Sequence, residues 1–157
     1  MTHRTVTNDD AAGLIRDTAE AASAFMRGDI RRYLELIRHA DDSTLMKPSG
    51  GEPVRGFHAT DEDLEAMERY FQAGEAEQEV VQTYCSGNLA VLVAIERQHG
   101  EVGGLPDQDW SLCVTLVFRR EESGWWLVHR HADPLVHDID LRHVSMLARG
   151  EFPAVAE

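Results

Sequence analysis

The sequence predicts an α+β fold in which helices come first and an antiparallel sheet follows. Two observations carry this expectation. Up to Gly74 the apolar residues recur every three or four positions, whereas beyond it they alternate within segments rich in Val, Leu, Ile, Thr and aromatics. In addition, Gly87-Asn88 and Glu121-Glu122-Ser123-Gly124 leave too little chain between strand-like segments for anything but antiparallel neighbours.

Taken in order, Asn8, Asp9 and Asp10 offer an N-cap and first-turn carboxylates. Leu14, Ile15, Ala22, Phe25 and Met26 then follow at helical spacing until Gly28, with Thr18 the one polar residue on that face. Asp29 can cap a second, shorter helix with Ile30, Tyr33, Leu34 and Ile37 on one side, closed by His39-Ala40-Asp41-Asp42; Tyr33 reads as core. A short strand begins at Ser43 and is interrupted by Lys47-Pro48-Ser49-Gly50-Gly51-Glu52-Pro53, because proline and paired glycines punctuate regular structure. Thr60-Asp61-Glu62-Asp63 has the form of a capping box and leads Leu64, Met67, Tyr70 and Phe71 into a third helix up to Gly74. Strands are expected over 79–86, 89–99, 110–120 and 125–135, forming a meander, with a longer loop over 100–108. A last helix is expected over 138–150 and a loose tail over 151–157.

At 157 residues and 43% hydrophobic, the chain is the size of one domain, expected to span 1–157 with its core over about 8–136. A net charge of -13 repels phosphate backbones and anionic lipid, so neither nucleic acid nor a membrane surface is an expected partner. No run approaches the roughly 20 apolar residues of a membrane span. Met1-Thr2-His3-Arg4 lacks the apolar segment of a signal peptide, so a cytoplasmic location is expected. Cys85 and Cys113 lie in apolar, strand-like runs and read as buried thiols.

The strand from Trp125 onward concentrates the candidate chemistry. Strict alternation puts Trp125, Leu127, His129, His131 and Asp133 on one face and Trp126, Val128, Arg130 and Ala132 on the other, and one of these faces should line a pocket. Arg130 can offer its planar fork to a ligand carboxylate or pair with an acid such as Glu96 or Asp133. Arg97 and His99 share that ambiguity. His129, His131 and Asp133 have the ligand types that Zn, Fe or Ni accept, yet a structural role is the expectation and no metal or cofactor is assigned. Lys47, the sole lysine, is held extended before a proline. Turned inward it would anchor an anion; turned outward it is a solvated loop lysine. His58 is a candidate acid, base or hydrogen-bond donor, while Trp110, Trp125 and Trp126 read as core or interface filler.

The order of elements, together with Gly124-Trp125-Trp126-Leu127-Val128-His129-Arg130-His131-Ala132-Asp133, resembles the SnoaL-like branch of the nuclear transport factor 2 (NTF2) superfamily over roughly 8–136. The resemblance implies a cone-shaped, cystatin-like fold, a curved sheet wrapped on three helices, often dimeric, that hosts isomerases, cyclases, dehydratases and binding modules. The segment from Ala40 to Gly56 looks like the part of ketosteroid isomerases that carries their proton-transferring aspartate, whose position here is Lys47. Their oxyanion tyrosine aligns near Ala21 and their protonated aspartate near Thr115 or Leu116, so all three roles stand vacant. Phe57-His58 and Trp125, His129 and His131 resemble the association domain of calcium/calmodulin-dependent kinase II, whose pocket arginines correspond to Ile95, Thr115 and Ala132. By strand parity this implies that Ile95, Thr115 and Ala132 face inward, and Arg97, Val117 and Arg130 with them.

These readings give as the leading expectation a soluble, dimeric protein that binds a small organic molecule, carboxylate-bearing in one version, in the cone. Lys47, His58, Arg97, Thr115, Trp126 and Arg130 are the candidate contacts. Acid–base chemistry such as isomerisation, cyclisation or dehydration would draw on Lys47, His58, His131 or Asp133. The alternative is an association or sensing module that dimerises and catalyses nothing.

Overall fold

The computed structural model describes residues 6–152, so the expectations for the first four residues and for most of the tail lie outside the described residues. Helix α1 spans Asn8–Met26. Its N-cap is Thr7, one residue earlier than expected, and the reciprocal bonds between Thr7 and Asp10 complete a capping box. Helix α2 spans Ile30–Leu36 behind its Asp29 cap. It stops sooner than the sequence suggests, and strand β1 takes His39–Met46, including the His39 to Asp42 stretch expected to close the helix. Strand β2 is the two-residue Val54–Arg55, and α3 covers Asp61–Tyr70 with the expected Thr60/Asp63 capping box.

Four long strands follow: β3 Phe71–Ser86, β4 Leu89–Val102, β6 Leu112–Glu121 and β7 Gly124–Pro134; β5, Gln108–Asp109, is a short arm on β4. The sheet order is β2-β1-β7-β6-β4-β3. The meander β3-β4-β6-β7 is antiparallel as expected, but β1 joins β7 in parallel, because the chain crosses the whole sheet between the two strands. Helix α4, Leu141–Ala148, is capped by Asp140 and shorter than the sequence pattern suggests. No helix among the described residues is long and apolar enough to cross a membrane.

The core lies between α1 and the concave face of the sheet, with Leu14, Ala21, Leu92, Leu116, Phe118 and Leu127 at 6% exposure or less. Burying each of the leucine and phenylalanine side chains contributes about 1.5–3 kcal/mol. The C-terminus of α1 is pinned to the sheet by two glycines: a Cβ on Gly28, at φ +84°, would collide with the Phe71 carbonyl, and one on Gly74 with the carbonyls of Met26 and His99.

One irregularity in β7 and the regular alternation of β4 and β6 decide which side chains enter the cone. In β7, Val117 pairs with His129 and Phe118 with Leu127, so Val128 has no partner and the alternation slips by one residue. Leu127 therefore shares the inner face with Arg130 and Ala132, whereas His129, His131 and Asp133 lie with Trp126 outside. The single-face set drawn from strict alternation is thus split. In β4 and β6 the inner face takes the even positions, from Ala90, Leu92, Ala94, Glu96 and Gln98 on one strand and Leu112, Val114, Leu116 and Phe118 on the other. Ile95, Arg97, Thr115 and Val117 point outward, contrary to the parity implied by the kinase-domain resemblance. Cys113 is likewise exposed and Cys85 half-buried, so neither is the buried thiol expected; both are free.

Candidate functional site

A cavity of about 360 Å³ opens between the three N-terminal helices and the concave sheet. That size falls within the range of small-molecule sites, roughly 300–1,000 Å³. Its walls are mostly apolar. Phe25 and Met26 come from α1, Ile30 from α2, Met67 and Tyr70 from α3, Phe71 from the start of β3, and Leu112 and Leu127 from the sheet. Phe25 packs on Phe71 with ring centroids 4.6 Å apart and meets Tyr33 edge-on at 5.3 Å, while Trp110 meets Phe71 at 6.4 Å. Such a wall suits a flat ring.

One side of the cavity is polar. Arg130 from β7 forms a two-point ion pair with Glu96 from β4, at 3.0 and 2.9 Å, the side chains being 20% and 5% exposed. Burial alone would favour loss of the Arg130 proton. The adjacent carboxylate more than offsets this and raises the guanidinium pKa above its usual value. Gln98 and Ser43 are buried beside the same space.

His39 from β1 and Tyr33 from α2 complete this side, with Tyr33 Oη 3.4 Å from His39 Nε2. The imidazole stacks on Phe57 at 4.6 Å. Its Nδ1 is buried without a well-formed hydrogen bond, although the Ile37 carbonyl lies near enough to favour the protonated ring slightly. Burial, and then the positive charge of Arg130, push the His39 pKa down to about 4, so the ring is neutral at pH 7. Burial also raises the Tyr33 pKa; Arg130 lowers it and Glu96 raises it further. The result is a neutral phenol beside a neutral imidazole on the polar side of the cavity, a pair able to donate and accept a hydrogen bond or a proton.

Of the residues expected to bind ligand, Lys47 and Arg130 line this one cavity, but at different depths: Lys47 is exposed at the mouth and Arg130 is half-buried within. Of the two roles open to Arg130, the structure shows the ion pair with Glu96. The other candidates fall elsewhere. Arg97 is half exposed on the outer face and pairs with Glu79 at 2.8 Å. Thr115 faces outward next to His131. Trp126 lies on the same face beneath the Arg38 guanidinium, 4.6 Å from its ring centre, with its indole N–H on Ser123. His58 is exposed, and its neighbour Phe57 lines the cavity instead.

His129, His131 and Asp133 do not converge on a point. His129 Nδ1 is 2.7 Å from Thr44 Oγ1, and His131 Nε2 is 3.1 Å from the Asp133 carboxylate. Among the described residues no three His, Cys, Asp or Glu side chains are grouped to hold a metal ion. Ala21, near which the resemblance to ketosteroid isomerases would put their tyrosine, is buried in the core. Glu96 is the acid that the sequence offered as a partner for Arg130; the residues that sequence reasoning missed or read as core are Tyr33, His39 and Gln98. The signal for Gln98 was present: the apolar residues Ala90, Leu92 and Ala94 at every second position lead to Glu96 and, two residues on, to Gln98.

Comparison with known proteins agrees with this architecture. The SnoaL-like domain matches residues 17–136. No curated protein is significantly similar to the chain in sequence. Among solved structures, a candidate dehydratase of the NTF2-like family from Streptomyces avermitilis superimposes with a TM-score of 0.60 at 20% identity, over 82% of this chain and 96% of that one. A candidate ketosteroid isomerase from Shewanella frigidimarina gives 0.58 at 20% identity, over 79% and 94%. The calcium/calmodulin-dependent kinase II hub homology domain of Chlamydomonas reinhardtii gives 0.54 at 20% identity, over 80% and 98%. At these identities the likeness is one of fold.

Proposed function

The chain belongs to the SnoaL-like domain family, and from that premise we propose that its cone takes up a small, ring-bearing organic molecule. The observation that carries this reading is the cavity of about 360 Å³ with an aromatic wall on one side and Tyr33, His39, Arg130 and Glu96 on the other. Its size suits roughly one to three fused rings. Apolar burial supplies the binding energy and the polar side orients the molecule. Lys47 stands where an entering molecule would pass.

Acid–base turnover within the cavity, of the isomerase, cyclase or dehydratase kind, is a second reading favoured by the Tyr33–His39 pair. In it Tyr33 polarises a carbonyl or leaving hydroxyl and His39 receives the proton. The outer sheet face, with Thr115, Val117 and Trp126 partly exposed, is available for pairing two copies as a homodimer; sedimentation of the wild type against Val117→Arg tests that assembly.

Binding itself is tested by thermal unfolding with a panel of one- to three-ring phenols and ketones. At a hundredfold excess over its dissociation constant, a bound compound stabilises the fold by about 2.7 kcal/mol. Met67→Trp, which puts an indole into the cavity, should abolish that shift. No stabilisation by any of the panel, or stabilisation undiminished in Met67→Trp, would overturn the reading.

A further inference from the structure

We propose that Glu96 determines the specificity of the cone: by engaging Arg130 it makes the cavity select uncharged ring compounds bearing a hydroxyl or carbonyl group and reject their carboxylates. This rests on the cavity being the binding site. A buried arginine facing an aromatic hollow would ordinarily mark a carboxylate pocket, since its fork matches two carboxylate oxygens. Here both terminal nitrogens already donate to the two oxygens of Glu96, at 3.0 and 2.9 Å. Glu96 is 5% exposed, so its charge is screened by little but Arg130 itself.

A ligand carboxylate entering this space would shed its water and lie beside a second, fixed carboxylate. Arg130, the shielded cation that would face it, is already compensated by Glu96. Lys47 does not redress the balance, because it is exposed at the mouth, where solvent screens its charge. An uncharged oxygen meets no such opposition. It can accept from the guanidinium N–H groups that Glu96 leaves unused, from the Tyr33 hydroxyl or from the Gln98 amide, and a ligand hydroxyl can donate to His39 or Ser43.

The test is isothermal titration of the full chain at neutral pH with two probes that share a ring system, 2-naphthol and 2-naphthoate. The wild type should bind the naphthol at least tenfold more tightly than the naphthoate. Glu96→Gln keeps the side-chain size and removes the charge, so naphthoate affinity should rise at least tenfold and the preference narrow or invert. Adding Arg130→Gln to that variant should remove the gain, which places it on the freed guanidinium.

The wild-type ratio needs no variant: naphthoate bound as tightly as naphthol overturns the role of Glu96 while leaving the cavity reading intact. A folded Glu96→Gln, verified by near-ultraviolet circular dichroism, that shows no gain in naphthoate affinity overturns it as well. If neither probe binds the wild type or Glu96→Gln, the cavity reading itself fails, and this inference with it.

Discussion

Glu96 and Arg97 are neighbours on β4, and each forms a glutamate–arginine pair, yet the two pairs live in different media. Glu96 reaches inward to Arg130 and both are largely shielded, at 5% and 20% exposure. Arg97 reaches outward to Glu79 across the β3–β4 ladder, where both are about half exposed, at 53% and 54%. The same chemistry, one peptide bond apart, serves two ends. Inside, the pair lets polar groups line an apolar cavity and fixes the charge it presents. Outside, it is a solvated contact on a sheet edge that contributes at most about 1 kcal/mol.

The largest expected effect separates the pairs by truncation. Glu96→Ala leaves a buried guanidinium without its counter-charge and should cost about 3–5 kcal/mol in urea unfolding, whereas Glu79→Ala should cost less than about 1 kcal/mol. Replacing the inner pair together, by Glu96→Leu with Arg130→Met, should recover most of the loss. Equal losses from the two single variants would break the contrast.

A second expectation uses two histidines, one on each face, whose effects on stability have opposite signs. His39 has a folded pKa near 4, below its usual 6.5, so the unfolded chain binds the proton first. Its contribution is therefore intact above about pH 6.5 and is lost as the pH falls towards 4, by up to about 3 kcal/mol. His99, outside, is raised by its hydrogen bond to Asp107 at 2.8 Å. Its contribution is present below the usual imidazole pKa and is lost as the pH rises through its raised value. Stability curves of His39→Phe and His99→Gln against the wild type should diverge in these opposite directions; a flat difference curve for His39→Phe would mean the ring is solvated.

The smallest effect is salt. In 1 M NaCl, where the Debye length is about 3 Å, a double-mutant cycle on Glu79 and Arg97 should lose its coupling, while one on Glu96 and Arg130 keeps most of it.

The contrast also shows what could be read from the chain. The helix caps at Asp29 and Thr60, the switch from helical to alternating period, and the four long strands follow from local chemistry, and the structure reproduces them. The start of β3 was hidden because Gln72, Glu75 and Glu77 face solvent at the sheet edge and carry no apolar alternation. The parallel pairing of β1 with β7 joins segments far apart in the chain and leaves no local mark. The site suffered most from one residue, Val128, whose bulge moves Arg130 to the face of Leu127 and turns His129 and His131 out. His39 and Gln98 escaped notice because a polar residue on an apolar face looks like a boundary until its neighbours across the cone are known, whereas Glu96 was legible as one acid that Arg130 could pair with.

The claim on which everything turns is that ligand enters the cone and does not settle on the outer sheet face. Methyl-resolved NMR during titration with 2-naphthol tests it most directly. Shifts should concentrate on Met26, Met67, Leu112 and Leu127, which line the cavity, and leave the outward-facing Val93 and Val117 in place. Shifts confined to those two valines, or no shifts at all, would contradict it.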